Sequence, residues 1–405
     1  MQVYIGIDWS ESKHDVAIMN EASALLAQFW IKHTPEGFSQ IIHQSHNLGI
    51  EPESAIVGLE TAHNLLIEFL WARGFAQVYV VPPGVVSSSR GRFRQSGANS
   101  DEYDAMVIAD LLRTDRHRLY PWHPDSLLVQ QMRADVSYYR HLTKTSTQQS
   151  NRLRSVLLRY YPAALKVFSS LKTQITLQFL QHYPTPEAAK ALTFAEFETF
   201  AREQGYTRTS NLTACFARLQ APYPQATEET MLVYENETVQ LAQSLALSQQ
   251  QRKATLRRLR SRFDEHPDAA IFDSMPGVGE FLAPALLAKF GDDRQRFPTA
   301  ATIQALAGTC PVTRKSGKRK SVRFRHACDK EFRHIAQQWA RFSLKQSVWA
   351  NTYWSQKQPR SRSENHAYRC LANRWLAILW KCWQTHRPYD EAYHMQQRTL
   401  RSQPR

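Results

Sequence analysis

Three strand-like runs follow one another at the start of the chain, residues 2 to 8, 15 to 19 and 25 to 33, joined only by the short polar turns SESKH and NEASA. Consecutive strands linked this closely pair antiparallel, because a parallel return needs a crossover of a dozen or more residues. The pattern then changes. A helix opens at Thr34-Pro35-Glu36, followed by the strand SAIVGLE (54 to 60), a helix (62 to 73), the strand AQVYVVPP (76 to 83) and a helix from about Asp101 to Arg113. The order βββ-α-β-α-β-α leaves few topologies open: an antiparallel hairpin side to which crossovers add two parallel strands. Residues 84 to 100, GVVSSSRGRFRQSGANS, are basic and rich in Ser and Gly, and predict a flexible connection before the last helix.

This is the topology of the RNase H-like nuclease fold, and it gives four acids a common address. Asp8 stands where the first apolar strand stops, Glu60 ends the fourth strand, and Asp101 and Asp104 lie in the first turn of the last helix. An acid in a strand is costly to bury unless something positive meets it. With the first and fourth strands adjacent, Asp8 and Glu60 become neighbours, and a three-residue spacing puts Asp101 and Asp104 on one helical face. Four such carboxylates repel one another unless a cation joins them. Hard oxygen donors select Mg²⁺ or Mn²⁺, and a pair of these ions assists in-line phosphoryl transfer. Each acid alone has an ordinary alternative: a turn for Asp8, an arginine partner for Glu60, the helix macrodipole for Asp101. Jointly those alternatives require four coincidences. Asp110 is the weakest rival for the site, and Glu102 points off the shared face.

From about 125 to 265 the composition shifts to Gln, Leu, Arg, Ser and Ala and predicts helix. Its ends, 127 to 161 and 236 to 263, run without Pro or Gly and pair either as an antiparallel coiled coil or as ordinary amphipathic helices, since strict heptads are not kept. Residues 162 to 235 contain several prolines and form a small helical insertion. Near 266 a third unit begins. HPDAAIFDSMPGVGEFLAPALLAKFGD has the helix, Pro-Gly-x-Gly turn, helix pattern of a helix-hairpin-helix, whose turn at Gly277 and Gly279 can approach a phosphate backbone. Arg314, Lys315, Lys318, Arg319, Lys320, Arg323, Arg325 and Lys330 then crowd one segment against the single acid Asp329. Two helices rich in Trp and Arg follow, whose Trp339, Trp375, Trp380 and Trp383 are core residues on composition. The segment 391 to 405 reads as a disordered basic tail.

The expected architecture is therefore α/β plus α: a mixed-sheet domain at 1–120, a helical spacer at 121–265 and a mostly helical domain at 266–390. Lys and Arg total 51 against 36 Asp and Glu, a net charge of +15 with pI near 9.7, which favours a polyanionic partner such as nucleic acid. The five cysteines show no CxxC spacing, which argues against a zinc site or a disulfide framework and suits a reducing cytoplasm. No apolar run reaches the length of a membrane span, and residues 1 to 20 lack the pattern of a signal peptide.

The blocks GIDWS, GLET and SDEYDAMVIADLLR, then FDSMPGVGEFLAPALLAKFGD, ALAGTCPV and KSGK, resemble in order the DEDD-type insertion-sequence transposases. That family joins an N-terminal RuvC-like domain to a C-terminal domain carrying a serine, and its better-understood members are bridge-RNA-guided recombinases. The resemblance covers roughly 1 to 120 and 265 to 390. It implies that Asp8, Glu60, Asp101 and Asp104 are the four acids, and that a serine attacks a DNA phosphodiester to leave a covalent phosphoserine link. Ser316 in RKSGK is the candidate; Ser321 lies close enough to compete, and Gly317 is followed by Lys318 where the family has a second glycine. The resemblance also implies Mg²⁺ or Mn²⁺, donor and target DNA, a guide RNA, dimers assembling into tetramers, and a nucleoid location. For an A-form backbone the candidates are Arg90, Arg92, Phe93 and Arg94 and the Arg-rich stretch 252 to 262. Two other functions remain open: a RuvC-like endonuclease in which metal-bound water attacks, and a non-catalytic nucleic-acid-binding protein.

Overall fold

The computed structural model describes residues 2–60, 65–92, 101–224, 226–317 and 319–402, apart from the side chains of residues 101, 401 and 402. The chain divides into two compact units, Met1–Pro124 and Asp125–Arg405.

The first unit contains β1 (Val3–Trp9), β2 (Lys13–Asn20), β3 (Leu25–Lys32), α1 (Pro35–Asn47), β4 (Ala55–Leu59), α2 (Leu65–Ala72), β5 (Gln77–Val80), α3 (Pro83–Ser89) and α4 (Asp101–Asp115). The sheet order is β3-β2-β1-β4-β5. β1 pairs antiparallel with β2, and β2 with β3, whereas β1–β4 and β4–β5 are parallel. This is an RNase H-like sheet, as the element order predicts.

Alternation along the strands sorts side chains to two faces. Val3, Ile5, Ile7, Val16, Ile18, Val57 and Leu59 fill one core, while Tyr4, Met19, Ile56 and Tyr79 pack with Val107, Ile108 and Leu112 of α4 on the other. Two glycines let α4 lie on the sheet. A Cβ at Gly6 would fall 2.0 Å from the Ala105 carbonyl oxygen, and one at Gly58 would fall 2.8 Å from Leu112 Cδ1. The first part of the expected flexible connection is instead α3, opened by Pro83 at a position suited to proline and pinned by the buried Val86. The remainder, residues 93 to 100, lies outside the described residues.

The second unit is built on two long helices, α5 (Leu127–Tyr160) and, after α6 (Ala164–Val167), α7 (Gln174–His182), α8 (Pro186–Lys190), α9 (Phe194–Glu203) and α10 (Leu212–Gln220), α11 (Glu228–Asp264). Side-chain hydroxyls start both: Ser126 accepts from the Val129 amide and Thr227 from that of Thr230. They run antiparallel with an apolar core at each end. Leu153, Val156, Leu157, Ala242 and Leu245 join the short helices α6–α10, whereas Val129, Met132, Val136, Leu259 and Phe263 join the C-terminal helices. Between the cores the seam is mostly small and polar, with Ser146, Ser150, Ser248 and Thr255 buried beside Leu142, so no heptad repeat is required. The pair is clasped by Asp135, which accepts from Arg258 Nε at 2.9 Å and from Arg262.

The chain continues through α12 (Ala269–Asp273), α13 (Gly279–Phe290), α14 (Ala300–Leu306), the hairpin β6 (Val312–Ser316) and β7 (Arg319–Arg323), α15 (Lys330–Ser343), α16 (Val348–Lys357), α17 (Glu364–Gln384) and α18 (Glu391–Ser402). Trp339, Trp375 and Trp383 are fully buried with Phe272, Phe290 and Phe332, as expected of core residues. Two further segments differ from the sequence reading. The basic segment is a β-hairpin, because Val312, Thr313 and Val322 favour strand and Gly317 takes the positive φ of +54° at the turn. The segment expected as a disordered tail is helical through residue 402. Glu391 tethers it by accepting from the Ser347 hydroxyl at 3.0 Å and the Trp349 amide at 2.9 Å. Its polarity hid those contacts. Among the described residues no helix is long and apolar enough to cross a membrane.

Candidate active site and basic hairpin

Asp8 follows Gly6 by two positions and therefore shares its face of β1, towards α4. Glu60 follows Gly58 in the same way. The last parallel pair is Ile7–Leu59, so Asp8 and Glu60 occupy the next rung. On α4, residues 101 and 104 lie one turn before Ala105 and Ile108, which meet Gly6 and Gly58. Asp104 is buried and takes a two-pronged contact from Arg90: Nε donates to Oδ1 at 2.7 Å and Nη2 donates to Oδ2.

The electrostatics tie the group together. Burial pushes the Glu60 carboxyl above its ordinary pKa, the charge of Asp104 pushes the same way, and Arg90 opposes both. Arg90 is raised chiefly by its hydrogen bond to Asp104, against its own desolvation, and further by the charges of Asp104, Glu60 and Asp8. Three of the four predicted acids thus share one field with one arginine. The backbone of Asp101 starts α4, but its side chain lies outside the described residues. Among the described residues no group of three or more His, Cys, Asp or Glu is arranged to hold a metal ion, and both Asp104 oxygens are engaged by Arg90. The donor chemistry nevertheless fits a hard divalent cation: carboxylate oxygens, one of them driven towards its neutral form by a neighbouring negative charge.

Two neighbours of the site were not legible as such. Asp15 stands directly opposite Asp8 in the β1–β2 register, is 3% exposed, and has Oδ1 3.2 Å from Lys13 Nζ but in no hydrogen bond. Counting back across the SESKH turn would have found it. Arg90, a nucleic-acid candidate by sequence, engages Asp104. Arg92 is also held internally, by Asp115 at 3.0 Å and Thr114 at 3.2 Å. Of the rivals, Asp110 is bound by Arg113 within α4, and Glu102 is exposed. Beside the β1–β2 turn, buried His14 meets His33 with Nε2 and Nδ1 2.8 Å apart, and burial plus His33 lowers the His14 pKa to about 4.

The hairpin carries the opposite charge. Its register pairs Arg314 with Ser321, Ser316 with Arg319 and Val312 with Arg323, so both candidate serines share one face with three arginines. Lys315 and Lys320 pair on the other face. Ser316 is exposed and Ser321 half-buried. Among the described residues Arg314, Lys315, Arg319, Lys320 and Arg323 form no ion pair, and the Ser316 hydroxyl forms no hydrogen bond. At the hairpin base, the guanidinium groups of Arg333 and Arg369 lie 4.4 and 4.7 Å from the ring centre of Phe324. The Arg325 carbonyl accepts from Arg333 at 2.5 Å, so Arg325 is part of that base. Phe93, Arg94 and Lys318 lie outside the described residues.

At the turn before α13, Gly277 has a φ of +80° and its amide donates to Gln346 Oε1 at 2.7 Å; a Cβ there would meet the Ser343 nitrogen at 2.4 Å. Packing against α15 explains this glycine. Gly279, at φ +53°, faces open space and lines a cleft of about 1000 Å³ with Lys144 and Lys345. In the stretch 252 to 262, Arg258 and Arg262 bind Asp135 and Arg260 binds Asp264 and Asp273, so these arginines hold helices together rather than form an open basic face.

Residues 5–162 match a family model described as a transposase, of the DEDD type named for IS110, and residues 269–355 match that of the Transposase IS116/IS110/IS902 family. The chain is 31% identical over 401 residues to the mini-circle protein named as a transposase for IS117 in Streptomyces coelicolor, covering 96% of each chain. It is 25% identical over 399 residues to the 42 kDa protein of insertion element IS900 from Mycobacterium paratuberculosis, covering 96% of this chain and 98% of that one. A RuvC-like sheet that gathers acids, a basic hairpin and matches along nearly the whole length agree: the chain belongs to the IS110-type family of insertion-element transposases, which act on DNA.

Proposed function

We propose that this transposase cuts and rejoins DNA through a serine–phosphodiester intermediate. The Ser316 oxygen attacks a backbone phosphorus; the Oγ–P bond forms, the P–O bond to a deoxyribose oxygen breaks, and the serine proton leaves to a base while the departing oxygen gains one. Attack by a second deoxyribose hydroxyl on the phosphoserine reverses the sequence, rejoins DNA and returns the proton to Ser316. Serine needs activation for this. Asp8, Glu60, Asp101 and Asp104 are the residues to hold Mg²⁺ or Mn²⁺, which when bound supplies Lewis-acid stabilisation of phosphate charge. Arg314, Arg319 and Arg323 hold and neutralise the phosphate beside Ser316, with Lys315, Lys320 and Lys318 on the flanking backbone. A bound noncoding RNA selects donor and target sites, and dimers assemble into tetramers. The observation that carries this reading is the sharing of one hairpin face by Ser316 and three arginines that form no ion pair among the described residues.

A second reading is favoured by the lack of any hydrogen bond to the Ser316 hydroxyl among the described residues: water attacks and no covalent link forms. Suicide DNA substrate with Mg²⁺, followed by denaturation, separates the two. An adduct lost in Ser316→Ala and Asp104→Ala but kept in Ser321→Ala supports the serine route. Cleavage that requires Asp104, leaves no adduct and survives Ser316→Ala makes the protein a water-using nuclease. Mixed assemblies of Asp8→Ala and Ser316→Ala chains test whether one site draws on two subunits; recovered activity supports sharing, and none in verified mixed assemblies opposes it.

A further inference from the structure

Arg90 is a cation placed among carboxylates, and its geometry points to a role distinct from gripping nucleic acid. It follows α3, and its backbone carbonyl accepts from the Tyr103 hydroxyl at 3.4 Å, so the main chain is held independently of the side chain. The side chain is about a third exposed, whereas that of Asp104 is nearly buried. Its guanidinium engages both oxygens of Asp104 and feels the charges of Glu60 and Asp8. Without a cation these acids, with Asp104 buried and Asp8 and Glu60 half-buried, would repel one another.

We propose that Arg90 is an internal counter-ion that competes with a divalent cation for Asp104, and that its side chain must swing towards solvent before the acids accept the ion. A guanidinium and a divalent cation repel when they share one carboxylate, so each lowers the affinity of the other. The fraction of molecules with Arg90 released then sets the apparent cation affinity. The acids stay neutralised and correctly placed at low cation concentration, at the cost of weaker binding. This inference rests on the reading of Asp8, Glu60 and Asp104 as cation-holding acids.

The test is Mn²⁺ binding to the full-length protein stripped of nucleic acid, followed by electron paramagnetic resonance, with thermal unfolding measured with and without Mg²⁺. Arg90→Gln removes the charge at similar length and Arg90→Lys keeps it without the two-pronged geometry. The expected result is Mn²⁺ affinity raised about tenfold or more in Arg90→Gln and less in Arg90→Lys, with Arg90→Gln melting below wild type without divalent ions and gaining more from Mg²⁺. Adding Asp104→Asn to Arg90→Gln should abolish the gain. Wild-type binding that depends on Asp104 but is equal or tighter than in Arg90→Gln overturns the competition alone. Wild-type binding no different from that of Asp104→Asn overturns the cation-site reading and this inference with it.

Discussion

In the N-terminal unit the buried carboxylates are answered from within the fold: Asp104 by Arg90, and Asp15 by Lys13. In the C-terminal hairpin, Arg314, Lys315, Arg319, Lys320 and Arg323 are exposed and lack ion pairs among the described residues. The first site is shaped by packing, since alternation on β1 and β4 and the contacts of Gly6 and Gly58 with α4 decide where the acids point. The second is an exposed charged surface whose counter-ions come from solution or from a polyanion that displaces them. Substitutions should therefore act on the acid site partly through stability and on the hairpin almost wholly through binding and chemistry.

The sharpest attempt to break this contrast is Ser316→Ala. It should lower adduct formation by about a thousandfold or more while leaving the melting temperature unchanged, because an exposed hydroxyl without partners contributes little to folding. Next is Gly6→Ala, whose new methyl would collide with the Ala105 carbonyl. Denaturant unfolding should show a loss of about 3 kcal/mol or more, against about 1 kcal/mol for Gly317→Ala, which meets only the left-handed φ.

Acid should weaken the N-terminal unit through His14. The folded His14 holds its proton only below about pH 4 whereas an ordinary histidine does so below about 6.5, so the unfolded chain binds more protons between these values. Its contribution is complete above pH 6.5 and is lost as pH falls towards 4, on the order of 3 kcal/mol. His14→Phe should flatten that part of the stability profile. Glu60 has the opposite sign: its raised pKa means stability is lost as pH rises through the carboxylate range. Glu60→Gln should therefore raise the melting temperature modestly at pH 7 without divalent ions and not below pH 4. The smallest effects belong to Arg314→Ala and Arg323→Ala, each expected to reduce the salt dependence of DNA binding by about one unit of slope with stability within about 0.5 kcal/mol of wild type.

The placement of Asp8, Glu60 and Asp104 was legible because strand alternation and a three-residue helical spacing are local rules tied to a familiar element order. Asp15 needed the β1–β2 register, and Arg90 needed the fold of α3, which a Ser- and Gly-rich composition concealed. The hairpin escaped notice because its cations outnumber the few β-favouring residues that shape it. Helix α18 escaped for a related reason: its main tether, Glu391, is polar and finds its partners in residues 347 and 349.

The clasp of Asp135 by Arg258 and Arg262 has a mechanical consequence. Arg258 and Arg262 stand one helical turn apart on α11, so sliding one long helix past the other by a turn, ~5.4 Å, would leave a buried carboxylate with one guanidinium group in place of two. The clasp thus resists shear. With 34 residues in α5, the pair forms a strut of ~50 Å, and a molecule seated on the α6–α10 cluster at one end is carried at a fixed reach from the tryptophan core at the other.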